Sequence, residues 1–219
     1  SELLTKYNTN ILLTAHHGDD LIETILMRLT RGSNLSGYIG IKDIAIYNNE
    51  KILRPLLYVT KKDIMNYLNK EKVPYAIDKT NEELEHTRNR YRHIILPFLK
   101  KENPKVHEKY LKFSKELIEY DNFVNTYISN NNFIVDNKIV INNLKSESLF
   151  IKRKCLEVLV KKVQNYDYFD ISDEQMNNLL KLYKQNNKTI DLNNNYQGIN
   201  SYGNIYLKKK KTEIFEEII

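Results

Sequence analysis

One short stretch sets the expected fold of this 219-residue chain: Ile11-Leu12-Leu13-Thr14-Ala15-His16-His17-Gly18-Asp19-Asp20-Leu21-Ile22-Glu23-Thr24. It opens with a short apolar run, which is typical of a buried β-strand. From Asp19 to Arg31 apolar residues recur at helical spacing, and Gly32 then provides a stop for the helix. The stretch therefore predicts a strand, a polar turn and an amphipathic helix.

A second strand and helix are predicted directly after the first pair. Residues 51–57 form another apolar run, and Thr60 can cap a helix that has Asp63 in its first turn. The buried side of that helix is expected to carry Ile64, Tyr67 and Leu68. Strand, helix, strand and helix in this order indicate an α/β layer with its ligand crevice beyond the carboxyl ends of the strands, where His16 to Asp20 lie.

The remainder of the chain is predicted to be mainly helical. Helical patterns cover residues near 87–99, 104–128, 147–163 and 172–184, and Pro97 and Pro104 bracket an expected domain boundary. Short strands are predicted at 188–192 and 205–210, and we interpret them as a hairpin that caps the helices.

Charge and cysteine content narrow the class of protein. The net charge is +6, and residues 86–115 hold nine basic side chains against only Glu102 and Glu108. This basic segment indicates a polyanion binder, although a solvated helix face would look similar. The single Cys155 excludes an intramolecular disulfide and a cysteine-rich zinc site, and it favours a cytoplasmic setting. No apolar run reaches the roughly 18 residues of a membrane span, although a leader before Ser1 would allow an organelle.

The polar turn after the first strand is the densest candidate for chemistry. On a helix that begins near Asp19, the side chains of Asp20, Glu23 and Thr24 share one face, which points toward the crevice or water. Carboxylates in a first turn are also favoured by the helix dipole, by about 0.3–1 kcal/mol each. The helix dipole does not account for the two histidines, His16 and His17, in the preceding turn. A metal-dependent phosphohydrolase is a weaker alternative, because no further cluster completes a ligand shell, so no metal-ligating residues are assigned.

Arginine-rich segments supply the other candidate residues. Arg88 and Arg92 are four residues apart, so they form a basic stripe along a helix. Guanidinium groups bind phosphate oxygens in a fork, and Tyr91 could stack on an exposed base. Arg31 ends the first helix, and Arg54 precedes Pro55 at the end of the second strand.

These motifs occur together and in order, and the set resembles the tRNA(Ile)-lysidine synthetases of the ATP-pyrophosphatase (PP-loop) group. The motifs are 14–24, Arg31-Gly32-Ser33, Leu53-Arg54-Pro55-Leu56, Pro74-Tyr75 with Asp78, and Arg88-Asn89-Arg90-Tyr91-Arg92-His93. The resemblance implies the fold class α/β: the remainder of a parallel-sheet adenylating domain, then a mainly helical domain with a small C-terminal hairpin. It implies a PP-loop domain part at 1–103, a tRNA-contacting domain at 104–212 and a tail at 213–219.

The resemblance also implies a reaction and its residues. In that family ATP, with Mg2+, adenylates the C2 oxygen of an anticodon cytidine, and free lysine then displaces AMP. Asp20, His16 and Glu23 are expected at the reaction centre. The expected substrate and ATP contacts are His17, Asp19, Thr24, Arg31 and Arg54. The expected contacts to tRNA(Ile) are Arg88, Asn89, Arg90, Arg92, His93, Lys105, Lys109 and Lys112. Pairing as a homodimer is a further implication.

One family motif is absent from this sequence. The family's Ser-Gly-Gly-x-Asp-Ser loop, which cradles the ATP phosphates with backbone N–H groups, has no counterpart here, since none of the six glycines is adjacent to another. We therefore expect the chain to be inactive alone and to need a separate or upstream segment that carries the loop. The alternatives are a noncatalytic RNA-binding module and another ATP-pyrophosphatase-type RNA modifier, such as a base thiolase.

Overall fold

The computed structural model describes residues 2–47, 50–76, 83–164 and 171–210. Asp78 and the predicted tail at 213–219 lie outside the described residues. The chain divides into two compact units, residues 1–121 and 122–219. No described helix is long and apolar enough to cross a membrane.

The first unit alternates helices with a small sheet. Its elements are α1 (Glu2–Lys6), β1 (Ile11–Leu13), α2 (Gly18–Arg31), α3 (Leu35–Tyr38), β2 (Ile44–Tyr47), β3 (Glu50–Leu53), α4 (Lys61–Lys70), α5 (Thr87–Arg90), α6 (Leu96–Glu102) and the start of α7 (Val106–Asn130). A π-helical turn, Tyr91–Ile95, joins α5 to α6, so that residues 87–102 form one helical segment.

The sheet of the first unit has the order β1-β3-β2. β1 and β3 are parallel, with Leu13 opposite Leu53, and β2 is antiparallel to β3. The predicted strand-helix-strand-helix order is therefore confirmed, and both parallel strands end at the same edge of the sheet. The second strand stops at Leu53 rather than at residue 57, because Pro55–Tyr58 turns into a 3-10 helix. β2 was not predicted.

One face of this sheet is apolar and exposed. Strand side chains alternate between the two faces, so the register places Ile11, Leu13, Ile44 and Ile46 on the same face. Their exposed fractions are 44%, 65%, 57% and 53%. Sheets in α/β proteins normally have such a face covered by another layer. The described part of the chain supplies no such cover for these four side chains.

Helix α2 packs its apolar side inward, as its sequence predicts. Leu21, Ile22 and Ile25 are fully buried and contact residues of the 3-10 turn, α6 and α7. The helix begins at Gly18, whose N–H donates to the Val59 carbonyl over 2.8 Å. A methyl group at Gly18 would lie 3.1 Å from the Val59 oxygen, so glycine allows this close approach. The first turn of α2 is thereby fixed against the chain that follows β3.

Helix α4 begins where the sequence predicts. Thr60 caps it, accepting from the Asp63 N–H over 3.1 Å, while the Asp63 carboxylate accepts from the Thr60 N–H over 2.9 Å. Ile64 and Leu68 are half-buried, but Tyr67 is 63% exposed, so its predicted burial is wrong. Helix α4 lies on the surface with no fully buried residue, and its apolar side is too narrow to include Tyr67.

The second unit is built on an antiparallel sheet. Its elements are β4 (Ile134–Val135), β5 (Lys138–Val140), α8 (Leu149–Gln164), α9 (Asp173–Leu180), β6 (Lys188–Asp191), β7 (Tyr196–Ser201) and β8 (Asn204–Lys209). The strand order is β4-β5-β8-β7-β6. The predicted strands at 188–192 and 205–210 are present, but they belong to a five-stranded sheet. Its core contains Leu156 and Leu159 of α8 and Leu179 of α9, all fully buried.

Helix α7 explains where the first unit ends. Val106 packs with Ile22 and Leu96, the Ser114 hydroxyl donates to the Ile39 carbonyl over 2.6 Å, and Asp121 accepts from Ser36 over 2.7 Å. The compact unit therefore extends beyond the sequence boundary at residues 103 and 104, because Pro104 interrupts the helix but not the packing. The separate tRNA-contacting role predicted for residues 104–212 stays a prediction.

Burial of His17 predicts a pH dependence of stability. Burial lowers the pKa of His17 below its ordinary 6.5, and the nearby Asp20 and Asp19 carboxylates only partly oppose this. Between the lowered pKa and 6.5 the unfolded chain binds more protons, so the free energy of unfolding falls as pH drops through that window. Urea unfolding from about pH 7.5 to about pH 5.5 should show this loss, and His17→Gln should reduce it.

The matched control is His86→Gln, because the His86 side chain is 70% exposed. This variant should keep the pH dependence of the parent chain. Equal slopes for the parent and His17→Gln would contradict the prediction. His16 should leave a residual slope, since burial lowers its pKa as well.

Candidate active site

An open polar depression of about 380 Å³ lies where β1 ends and α2 begins. The loop after β1, the first turn of α2 and the helical segment that contains Arg88 and Arg92 all contribute to it. The depression is lined by Thr14, Ala15, His16, Asp20, Arg88, Asn89 and Arg92. The structure thus brings together two clusters that are far apart in the sequence, at the strand end where a crevice is predicted.

Two carboxylates of α2 are paired with two arginines. Glu23 is 1% exposed, and it accepts from Arg88 Nε over 2.8 Å and from Arg92 Nε over 2.9 Å. Asp20 Oδ1 accepts from Arg88 Nη2 over 2.8 Å and from Arg92 Nη2 over 3.3 Å. The hydrogen bonds that Arg92 donates to Glu23 hold the pKa of Arg92 above its ordinary value. The four charges balance, so neither guanidinium needs an external anion.

Asp20 reaches the depression, whereas Glu23 is enclosed. Asp20 Oδ1 accepts from the two arginines, and Oδ2 accepts from the His17 N–H over 2.9 Å. His17 Nδ1 lies 3.4 Å from the same Oδ2. Asp20 also lines the depression. Glu23 does not line it, so its contacts suit an orienting role.

His16 places an imidazole in the same depression. Its Nδ1 lies 2.9 Å from the Thr14 hydroxyl, which fixes the orientation of the ring. Burial lowers the pKa of His16, and the positive charges of Arg54 and Arg88 lower it further, while Asp20 raises it. His16 is therefore neutral near pH 7 and can accept a proton.

Three other candidates from the same sequence motif point elsewhere. Asp19 does not line the depression; its Oδ2 accepts from Lys100 Nζ over 2.7 Å and from the Lys61 N–H over 3.4 Å. The Thr24 hydroxyl donates to the Asp20 carbonyl over 2.8 Å, a bond within the helix. His17 Nδ1 is buried with no hydrogen-bond partner among the described residues.

Arg54 is a half-buried cation beside the site. Its Nη1 donates to the Lys42 carbonyl over 2.8 Å, and its buried Nε has no partner in the described ranges. Burial lowers the pKa of Arg54, and its charge acts on His16. No carboxylate lies within salt-bridge distance of it in the described part of the chain. Arg31 lies at the exposed end of α2, away from the lining residues.

The remaining candidates of residues 88–93 have mainly structural contacts. Asn89 is buried and donates to the Glu83 carbonyl over 2.8 Å, and Arg90 donates to the Glu85 carbonyl over 2.7 Å. The Tyr91 hydroxyl lies 2.6 Å from the Thr30 hydroxyl, and His93 is exposed. Only Arg88, Asn89 and Arg92 of this group line the depression.

The predicted basic surface is present on α7 and the residue before it. The exposed side chains of Lys105, Lys109 and Lys112 follow the spacing i, i+4 and i+7, which places them on one helix face. Lys112 Nζ lies 3.6 Å from Glu116 and Lys105 Nζ lies 4.0 Å from Glu108, both weak surface pairs. These lysines remain accessible to a polyanion.

Three residues at or near the site were not predicted as site residues: Lys100, Thr14 and Ala15. Lys100 was counted only as part of the basic segment, although it follows Arg88 and Arg92 at multiples of four residues and so continues their stripe. That spacing could have identified it as a partner for a carboxylate of α2. Within the described residues no group of three or more His, Cys, Asp or Glu side chains could hold a metal ion.

Comparison with known proteins agrees with this geometry. Residues 1–99 match the model of the PP-loop domain family. The "Bifunctional protein TilS/HprT" of Listeria innocua is 35% identical over 215 residues, which are 94% of this chain and 33% of that protein. The "tRNA(Ile)-lysidine synthase" of Bacillus anthracis is 38% identical over 175 residues, covering 75% of this chain and 36% of that protein. A synthase of the same name from Bacillus thuringiensis subsp. konkukian is 49% identical over 117 residues, or 53% of this chain and 25% of that protein.

The chain spans about a third of the length of these curated relatives. The matched PP-loop region contains β1, α2, β3 and the helical segment with Arg88 and Arg92, and so it includes the whole depression. With this site and these relatives, the chain belongs to the PP-loop family that includes the tRNA(Ile)-lysidine synthases.

Proposed function

We propose that this chain forms the lysine-binding and RNA-binding part of an enzyme that ligates lysine to C2 of an anticodon cytidine in tRNA(Ile). The observation that carries the proposal is Asp20, a buried carboxylate that lines a polar depression beside His16. A carboxylate beside a neutral imidazole suits an ammonium substrate that must lose a proton. The family of the relatives supports the choice of reaction.

In the proposed reaction Asp20 holds the ε-ammonium of lysine on the side that lines the depression. ATP, with Mg2+, would supply the adenylyl group to the cytidine C2 oxygen with release of pyrophosphate, which makes the C2–O bond cleavable. Asp20 or His16 takes a proton from the ε-ammonium, and the resulting amine forms a bond to C2 as the C–O bond to AMP breaks. Glu23 keeps Arg88 and Arg92 in place, and the arginines in turn fix Asp20 Oδ1.

Arg54 is the residue that we assign to an anionic group of the substrates. Arg88 and Arg92 are neutralised by Asp20 and Glu23, whereas Arg54 is half-buried without a carboxylate partner among the described residues. A guanidinium in such a place favours binding of a phosphate or carboxylate oxygen. Arg54 follows Leu53, whose carbonyl accepts from the N–H of the lining residue Thr14 over 3.0 Å, so such a ligand would lie beside the depression.

The phosphate-binding part of the enzyme is proposed to come from another segment. None of the six glycines is adjacent to another, so the chain carries no Ser-Gly-Gly-x-Asp-Ser loop. The exposed apolar face formed by Ile11, Leu13, Ile44 and Ile46 suits a covering layer that such a segment would bring. The chain covers only about a third of the length of these relatives, which is consistent with this proposal.

A noncatalytic RNA-binding module is the second candidate, and the absent loop favours it. In that case residues 1–121 would be a scaffold and the basic surface would be the functional part. The two candidates differ in whether lysidine is formed once a phosphate loop is supplied. The position of Asp20 favours the enzyme, because a buried ion-pair cluster that reaches an open polar depression is typical of a functional site.

The first test is formation of lysidine. We expect the 219-residue chain, with ATP, Mg2+, lysine and tRNA(Ile), to form none, and the same chain with a segment carrying the phosphate loop fused before Ser1 to form it. Mass spectrometry of the digested tRNA measures the product. Lysidine from the chain alone would contradict the need for the loop. A fused protein that is folded and binds tRNA but forms no lysidine would favour the RNA-binding module.

The second test concerns Asp20. In the active protein Asp20→Asn should lower the rate of lysine transfer by at least about 100-fold, because the amide cannot accept the proton or hold the ammonium. Affinity for tRNA should change by less than about twofold. Asp173→Asn is the control, since that carboxylate is 83% exposed in the second unit. Equal losses of transfer and tRNA binding would argue against a chemical role for Asp20.

The third test concerns the basic surface. Replacing Lys105, Lys109 and Lys112 together with glutamine should weaken tRNA binding and reduce the slope of log K against log salt by about 2 to 3. The control makes the same charge change at Lys62, Lys70 and Lys72, which are exposed on and just after α4. Filter binding at several salt concentrations measures both slopes. An unchanged slope in the first triple variant would exclude these lysines from the RNA interface.

A further inference from the structure

Lys100 is outside the depression, yet it holds the helix turn that carries Asp20. Its Nζ lies 2.7 Å from Asp19 Oδ2, and Asp19 is 4% exposed. Among the residues that the structure describes, Lys100 supplies the one side-chain cation within salt-bridge distance of Asp19. The Lys61 N–H donates to the same oxygen, and Asp19 Oδ1 is buried with no partner in the described ranges. Lys100 is therefore the side chain that pairs with the buried Asp19 carboxylate.

The contact between Asp19 and Lys100 is separate from the arginine cluster. Asp19 and Asp20 are adjacent, and their side chains leave the first turn of α2 in different directions. Asp20 lines the depression and meets Arg88 and Arg92, whereas Asp19 does not line it and meets Lys100. All three cations belong to the helical segment 87–102. The turn is thus attached to this one segment at two separate points.

An apolar contact between α2 and α6 lies in the sequence between the arginine contacts and the Lys100 contact. Ile22 of α2 packs with Leu96 of α6 and Val106 of α7, and all three side chains are buried. Leu96 lies between Arg92 and Lys100 in the sequence, at the start of α6. Rotation of the first turn about this contact would move Asp20 relative to the arginines. The pair of Asp19 and Lys100 opposes that rotation.

We propose that Lys100 is a positioning residue for the reaction, acting through Asp19 to hold Asp20 at the depression. This inference rests on the proposed function of Asp20. It also reassigns Asp19 from substrate binding to a structural contact. Displacement of a reacting group by about 1 Å can lower a rate about 100-fold, so the loss of Lys100 should appear in the chemical step and in the KM for lysine.

The test compares three variants at Lys100 in the lysidine-forming protein, assayed well below their melting temperatures. Lys100→Met should lower kcat by at least about tenfold and raise the KM for lysine, with tRNA affinity unchanged to within about twofold. Lys100→Arg keeps the cation and should recover kcat to within about threefold. Lys101→Met is the matched control, since Lys101 is the exposed neighbour on the same helix, and it should leave kcat unchanged.

A double variant separates positioning from stability. Asp19→Asn with Lys100→Met removes both charges, so its melting temperature should return toward that of the parent, because no unpaired buried charge remains. If Lys100 is a positioning residue, kcat stays low in this double variant. Recovery of kcat together with the melting temperature would overturn the inference and assign the pair to stability alone.

The remaining outcomes are also decisive. Full kcat in Lys100→Met would overturn the inference while leaving the proposed function intact. Loss of tRNA affinity with unchanged kcat would overturn it as well, and it would place Lys100 in the RNA interface. If the fused protein without any substitution forms no lysidine, the proposed function is refuted instead, and the inference fails with it.

Discussion

Burial of three carboxylates at the start of one helix is the constraint on which the first unit depends. Asp19, Asp20 and Glu23 are all less than 8% exposed. An uncompensated buried charge costs several kcal/mol, so each carboxylate requires a cation close by. Arg88, Arg92 and Lys100 provide these cations, and all three come from residues 87–102. The requirement fixes this helical segment against α2 and so creates the depression between them.

The helical segment itself is adapted to this arrangement. Pro97 has no N–H and would clash with the carbonyl of a regular preceding helical turn. The chain forms a π-helical turn over Tyr91–Ile95, where the Leu96 N–H donates to the Tyr91 carbonyl. A π turn changes the direction of the side chains that follow it, and such turns are frequent at functional sites. Arg92, within this turn, contacts Asp20 and Glu23, whereas Lys100, after it, contacts Asp19.

The sequence predicted the local structure of this unit well, because its patterns are local. The strand before His16, the amphipathic helix with Ile22 and Ile25, and the Thr60 cap each follow from neighbouring residues, and each is present. Strand β2 was missed because Ile44–Tyr47 is short and its pairing with β3 is not specified by its own residues. The five-stranded sheet of the second unit was missed for the same reason, since β4 and β5 have only two and three residues.

The site was harder to predict than the elements, because its contacts join residues more than 60 positions apart. Spacing identified Asp20, Glu23, Arg88 and Arg92 as a polar face and a basic stripe, but it assigned the two arginines to external phosphates. Their contacts with Asp20 and Glu23 could not be read from either motif separately. Once the charges are paired, the arginines account for the shape of the site, and Arg54 is left as the cation suited to a ligand.

The same pairing explains how a part of an adenylating domain can keep an ordered site without its phosphate loop. The cations that hold Asp20 and Glu23 come from residues 88–92, which lie in the same unit, so the arrangement needs no bound ATP to balance its charge. The apolar sheet face lacks a comparable partner within the described residues, and its exposed Ile11, Leu13, Ile44 and Ile46 mark the side where a covering layer is required. The polar side of the site is therefore held in place by residues of the first unit alone.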